Sequence, residues 1–370
     1  MAIDRRTVLL TAAGVAAETA LGRAAVATTN ARELFAAARR DGDGRYAVAM
    51  ITRNGEDVRV VGLPGRGHDL AVCPISRRMV AFARRPGSFA VVLDIDRPLQ
   101  TFNFETPADR HFQGHGVFAP DGRLLYATEN DFERGTGVIG IYDATRRFQR
   151  IAELPSHGIG PHDIALSSDG RTLVVANGGL REHPDIGRGR RVLNPDAIET
   201  SLVYVDAASG TLLEKHALPH AAGLSLRHLE IGLGDTVVIG AQEQSPSAGA
   251  RRVVFTHDRQ EKLREIHCGE GDPLAGYVSS VSVDASGTIA AVTSSRAGAA
   301  VLIEIGKGRL IGIARLADVS GVAPRREGGS FLLTSGTGAI VSVSATQGYE
   351  ALAARLTCAW DNHAVAIRAR

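Results

Sequence analysis

Apolar and polar residues alternate with a period of two through most of this chain, in runs of about four to eight residues bounded by Gly-, Asp- and Ser-rich turns. That pattern predicts short β-strands. Tyr46–Ile51 and Val58–Leu63 flank Asn54-Gly55, a pair that tolerates positive φ, so a hairpin is expected there. From His68 onward one unit recurs: a histidine, an apolar strand, a turn and a second apolar strand. Laid without gaps on each other, His68–Val80 and His162–Val174 pair histidine with histidine, Asp69 with Asp163, Ala71 with Ala165 and Val80 with Val174. Further copies begin at His115 and His228. In the copies at Ser279 and Ser320, serine stands where the histidine was.

Each unit has room for four short strands in about 45 residues, the period and content of one β-propeller blade. His68, His115 and His162 are spaced 47 residues apart, and the step to His228 is 66. The surplus is an insertion over Arg181–Thr200, and a long irregular insertion in a compact repeat points to function or mobility. After the sixth copy a single strand remains, around His363-Ala364-Val365-Ala366-Ile367. Paired with the N-terminal strands Tyr46–Leu63, it completes a seventh blade and removes the open sheet edges. The expected fold is therefore all-β, a single seven-bladed β-propeller over residues 44–370, ring-closed by the C-terminal strand. Residues 28–43, containing Asn30–Asp41, read as a linker or short amphipathic helix.

Charge and composition narrow the function. A net charge of +2 with 22% charged residues, and no basic run interleaved with aromatics, argues against nucleic-acid binding. The three cysteines, Cys73, Cys268 and Cys358, have no CxxC spacing and signal neither a thiolate metal site nor a disulfide framework, although a Cys268–Cys358 bridge stays open. Residues 1–27 read as a twin-arginine export signal, with Arg5-Arg6 before a mildly apolar run and Ala25-Val26-Ala27 as the cleavage site. The run is too short to span a bilayer, so the exported chain is expected in the periplasm without a membrane span. A cytosolic N-terminal helix is the alternative.

In a propeller the first strand of each blade lines the central channel. Equivalent positions on successive blades then form a ring, which would bring His68, His115, His162, His228 and His363 to one channel mouth. Neutral imidazole is the commonest transition-metal ligand, so three or more on one axis suit copper, zinc, iron or nickel. Asp69, Asp163 and Glu230 stand beside them as outer partners or ligands. A second reading stays open, because repeat descent also copies a histidine that merely packs. Glu129, Asn130 and Asn177 follow the second strands at matching points and, with Arg181 of the insertion, are candidate cofactor-binding residues on the same rim; turn formation is the alternative role. His111, His157, His183 and His220 fall in expected loops. No nucleophile elbow, phosphate loop or HExxH helix is present.

The motifs Gly114-His115-Gly116-Val117-Phe118, Tyr126-Ala127-Thr128-Glu129-Asn130-Asp131, Gly160-Pro161-His162, Val175-Ala176-Asn177-Gly178-Gly179, His183-Pro184-Asp185 and Trp360-Asp361-Asn362-His363 resemble those of a bacterial family, domain of unknown function 1513. The resemblance covers nearly the whole chain after the leader. It implies a twin-arginine leader, a seven-bladed WD40/YVTN-like propeller, a periplasmic home and periplasmic iron-uptake proteins of the imelysin type as partners. It implies no particular chemistry. The expected function is a periplasmic binding or accessory protein holding a transition metal, iron or copper ahead of zinc, or a metal complex at the channel mouth; the alternatives are a metal-dependent redox enzyme and a metal-free interaction propeller.

Overall fold

The computed structural model describes residues 33–97, 100–186, 191–218, 223–244, 252–260, 262–269, 271–354 and 357–367. The expected leader, residues 187–190 of the Arg181–Thr200 insertion and His220 lie outside them. Seven four-stranded antiparallel sheets stand around one axis. Their innermost strands are Gly67–Val72, Arg110–Phe118, Pro161–Leu166, Leu224–Ile231, Ser280–Val283, Val319–Pro324 and Cys358–Ile367. Each touches the next, and Cys358–Ile367 touches Gly67–Val72, so the ring is closed. Among the described residues no helix is long and apolar enough to cross a membrane.

Position within a blade explains the sequence pattern. A strand in mid-blade is covered by neighbouring blades on both faces, so Thr172–Asn177 is buried at every residue. Its outermost companion, Leu212–Ala217, meets solvent on one face and alternates between exposed and half-buried. Aromatic side chains fill the space between the first two blades: Phe82 meets Phe112 edge-on at 5.4 Å, and Phe104 stacks on Phe148 at 5.2 Å. Each such pair contributes about 0.5–1.5 kcal/mol beyond its buried area. The Asp-Gly turns are locally enforced. The Asp169 carboxylate accepts the backbone N–H groups of Arg171 at 2.7 Å and Thr172 at 3.1 Å, while Gly170 takes φ +67°.

The N-terminal segment corrects the expectation of a linker or helix. Leu34–Asp41 is a β-strand, paired on one side with Tyr46–Thr52 and on the other with Cys358–Ile367. The closing strand thus pairs with Leu34–Asp41 rather than with the Tyr46–Leu63 hairpin, and the N-terminus supplies three strands of the seventh blade. Phe35, Ala36, Ala37 and Ala38 are buried, because neighbouring blades cover both faces of this strand. Cys73, Cys268 and Cys358 are all buried and unbridged, so the Cys268–Cys358 pairing is not made.

The described part of the Arg181–Thr200 insertion has no strand or helix, yet it is tied down. The Asn194 side-chain amide donates to the carbonyls of Gly179 at 2.8 Å and Ala197 at 2.9 Å, and its oxygen accepts from the Arg181 backbone N–H at 2.7 Å. Its buried Glu182 reaches the first blade, where Arg85 Nη1 donates to Glu182 Oε2 at 2.6 Å.

Candidate metal centre

The five recurrent histidines meet on the axis, and a local device aims them there. Pairing with the second strand slips between Gly67 and Leu70, Phe112 and Gly116, Pro161 and Asp163, and Leu226 and Leu229, bracketing His68, His115, His162 and His228 in turn. In the seventh blade the register jumps opposite Ala37 and Arg39, which brackets Asp361 to His363. A bulge of this kind breaks the in-out alternation and re-aims a side chain. Of the two blades that lack the histidine, the Ser280 strand pairs without a slip, whereas the strand Val319–Pro324 slips between Val319 and Gly321, at Ser320.

The imidazoles form a packed cluster. Ring centroids lie 4.9 Å apart for His68–His115, 5.0 Å for His115–His162, 4.9 Å for His162–His228, 4.6 Å for His228–His363 and 4.7 Å for His68–His363. All five are at most 5% exposed. One ring nitrogen from each of His115, His228 and His363 lies within 4.8 Å of the others, and the same holds for His68, His115 and His162. Gly114 makes room for this packing. It holds φ +107°, and a Cβ there would stand 2.5 Å from the His68 ring.

The outer partners are unequal. His115 Nδ1 lies 3.1 Å from Asp69 Oδ2 and 3.2 Å from Asp163 Oδ1. Asp163 is itself fixed by the backbone N–H groups of Ile164 at 2.7 Å and Leu229 at 3.0 Å. His363 Nδ1 lies 3.0 Å from Ser280 Oγ. His68 Nδ1 is 3.5 Å from Asp361 Oδ1, which Arg84 Nη1 also meets at 2.9 Å, and His162 Nδ1 faces Arg227 Nη1 at 3.4 Å. The inward nitrogens contrast with these. Nε2 of His115, Nε2 of His363 and both nitrogens of His228 are buried without a hydrogen-bond partner. An orphaned buried polar atom costs about 1–3 kcal/mol, a cost that a group accepting these lone pairs or protons would remove.

Proton affinities follow from the same geometry. Burial drives His68, His162 and His228 well below the usual imidazole range, helped by His363 and Arg84 at His68, by Arg227 and His228 at His162, and by His363 and His115 at His228. Burial lowers His363 to about 4. At His115 burial opposes charge, but Asp163 and Asp69 outweigh it and lift the imidazole to about 10. Four neutral imidazoles with lone pairs therefore surround one that is held between carboxylates.

Beside the ring lies a cavity of about 690 Å³. Asp69, His115, Asp163, His228, Glu230 and His363 give it a polar end, and residues such as Leu70, Val72, Val117, Val281 and Val322 give it apolar walls. Burial lifts the Glu230 carboxyl to about 7.

The other candidate residues are not brought to this point. Glu129 is fully buried within a strand and binds the Tyr142 hydroxyl at 2.5 Å and Arg150 Nη2 at 2.8 Å. Asn177 closes on Ser156 through its Oδ1 and Nδ2, both at 2.9 Å. Asn130 Nδ2 reaches His111 Nε2 and the Glu182 carbonyl, each at 3.5 Å, and Arg181 is exposed in the pinned insertion. None of the four lines the cavity. His111 is buried in a strand rather than a loop, stacked on Phe132 at 5.8 Å. Asp361, Arg84, Arg227 and Ser280 are the partners that sequence reasoning did not single out. Asp361 stood in view in the Trp360-Asp361-Asn362-His363 motif.

The family profile described as Protein of unknown function (DUF1513) matches residues 61–367. The chain belongs to the DUF1513 family. No curated protein matches the chain. Among solved structures, Kuenenia stuttgartiensis hydrazine synthase superposes with a TM-score of 0.63 at 15% identity, over 82% of this chain and 93% of that one. At that identity the likeness concerns the fold alone. For this DUF1513 member, as for its family, the chemistry has to be argued from the site.

Proposed function

We propose that the propeller binds one transition-metal ion, iron or copper, in its axial histidine ring, as a binding or accessory protein of the periplasm. The observation that carries this reading is the convergence of buried, unpartnered imidazole nitrogens from His115, His228 and His363. A metal ion would accept their lone pairs and remove the cost of burying them bare. His115 supports it further: with Nδ1–H donated to Asp69 and Asp163, Nε2 is the ligand, the carboxylate–histidine–metal arrangement that orients a ring and raises its basicity. A metal there displaces the second proton that His115 otherwise holds up to about 10. Five imidazoles exceed the four ligands of a structural zinc site, which favours iron or copper over zinc.

The test is metal content. Chain purified from its native compartment should carry one iron or copper that is lost in the paired change His115→Ala with His228→Ala. Metal content unchanged by that pair, or metal-free chain that takes up neither ion, overturns the reading. The periplasmic home and an imelysin-type iron-uptake partner are part of the same proposal and rest on the family's motifs. Finding the processed chain in the cytoplasm would count against the first, and failure to co-purify with such a partner against the second.

The apolar-walled cavity favours a second reading, a metal-dependent redox enzyme whose small substrate would sit against the ring. Turnover of a redox substrate that depends on His228 separates enzyme from carrier.

A further inference from the structure

A second cluster of ligating side chains sits far out in the ring, at the boundary of the third and fourth blades. Glu214 and His216 lie two residues apart on the outermost strand Leu212–Ala217, so both project from one face. His257 ends the third strand of the fourth blade, Val254–His257. One ligand atom from each lies within 4.8 Å of the other two. The His216 and His257 rings are 4.1 Å apart between centroids, at 51°, and His216 Nε2 is 3.1 Å from Glu214 Oε2.

We infer that Glu214, His216 and His257 form a binding site for a single borderline divalent cation of the zinc type, distinct from the axial ring. Two imidazoles and one carboxylate are a three-ligand set suited to that ion, with a fourth position for water. The surroundings prepare each ligand. Tyr204 Oη lies 2.6 Å from His257 Nδ1, and the tautomer in which Nδ1–H donates to that oxygen puts the lone pair on Nε2. Tyr204 is cross-strand partner to Glu214, so the same strand pair positions both. Arg259 donates to Glu214 Oε1 at 2.8 and 2.6 Å, fixing the carboxylate with Oε2 turned to His216. His257 is buried while Glu214 and His216 are half-buried, which gives an anchored inner ligand and an open approach from solvent. A cation here ties the rim of one blade to the next. The guanidinium of Arg259 works against a cation, so the affinity is set below that of a site with the carboxylate unshared.

The experiment uses chelator-stripped full-length chain and Zn²⁺ alone. In the His115→Ala, His228→Ala background, where the axial ring is disabled, one equivalent of Zn²⁺ should still bind, and adding His216→Ala should remove it. Zinc uptake that is absent from this background, or unaffected by His216→Ala, overturns the inference. If the background fails to fold, crystals of the unaltered chain soaked in Zn²⁺ decide by anomalous scattering. A peak about 2.0–2.2 Å from Glu214, His216 and His257 supports the site, and no peak there overturns it. Loss of the axial metal alone leaves this result untouched, so the two sites stand or fall separately.

Discussion

Asp69 of the first blade and His115 of the second are joined across the blade boundary, carboxylate Oδ2 to imidazole Nδ1 at 3.1 Å. Asp163 of the third blade closes on the same nitrogen from the other side at 3.2 Å. The two aspartates each follow a ring histidine in sequence, so the His-Asp pairs of blades one and three clasp the histidine of blade two.

Asp69→Asn should weaken axial metal binding by about 10–100-fold, the usual cost of losing an outer partner of a ligating histidine. In the metal-free chain it should also bring the His115 pKa down from about 10, since one of its two carboxylates is gone. Isothermal titration with Cu²⁺ and an NMR pH titration check the two effects. Unchanged affinity together with an unchanged His115 titration would show that the carboxylate does not act on the ring.

Glu129→Ala should cost about 1–3 kcal/mol of stability, because it leaves the buried Tyr142 hydroxyl without its acceptor, while Arg150 keeps Glu153 as a carboxylate partner. Urea unfolding measures the loss. Metal bound per folded chain should stay the same, and a fall in that ratio at constant fold would restore Glu129 as a cofactor ligand.

Acid should destabilise the metal-free chain in a defined window. Unfolded, the imidazoles of His68, His162, His228 and His363 take up protons as pH falls through about 6.5. Folded, burial holds the first three well below that range and His363 at about 4. The unfolded state therefore binds more protons below about 6.5, and stability falls as pH drops, by up to about 1.4 kcal/mol per pH unit for each group. His115 has the opposite sign: its raised pKa contributes stability fully below about 6.5 that is lost as pH rises through about 10. Urea midpoints of stripped chain between pH 7 and 5 test this. A flat profile would mean that the ring is not buried in its neutral form.

The repeat, the blade count and the meeting of five histidines were legible because each rests on spacing. A histidine recurring at one point of a unit must recur at one point of the ring. The strand Leu34–Asp41 was not legible. Covered on both faces, it shows no alternation, and its Leu, Ala and Arg residues favour helix in isolation. Pairing on both edges overrides that preference. The partners of the histidines were hidden for another reason. Asp361 meets His68 across 293 residues of sequence and Ser280 meets His363 across 83, contacts that exist only once the ring closes. Glu129 and Asn177 were read as facing the rim because their type and position fit it, yet Tyr142 and Arg150 of its own blade engage Glu129, and Ser156 engages Asn177.

The strand that shuts the ring, Cys358–Ile367, also delivers His363 and Asp361 to the axis. A ribosome still short of residue 363 has produced most of a propeller but an incomplete set of ligands. Were the axis to hold an ion as proposed, full use of its ligand set would require a chain translated through this closing strand and correctly docked.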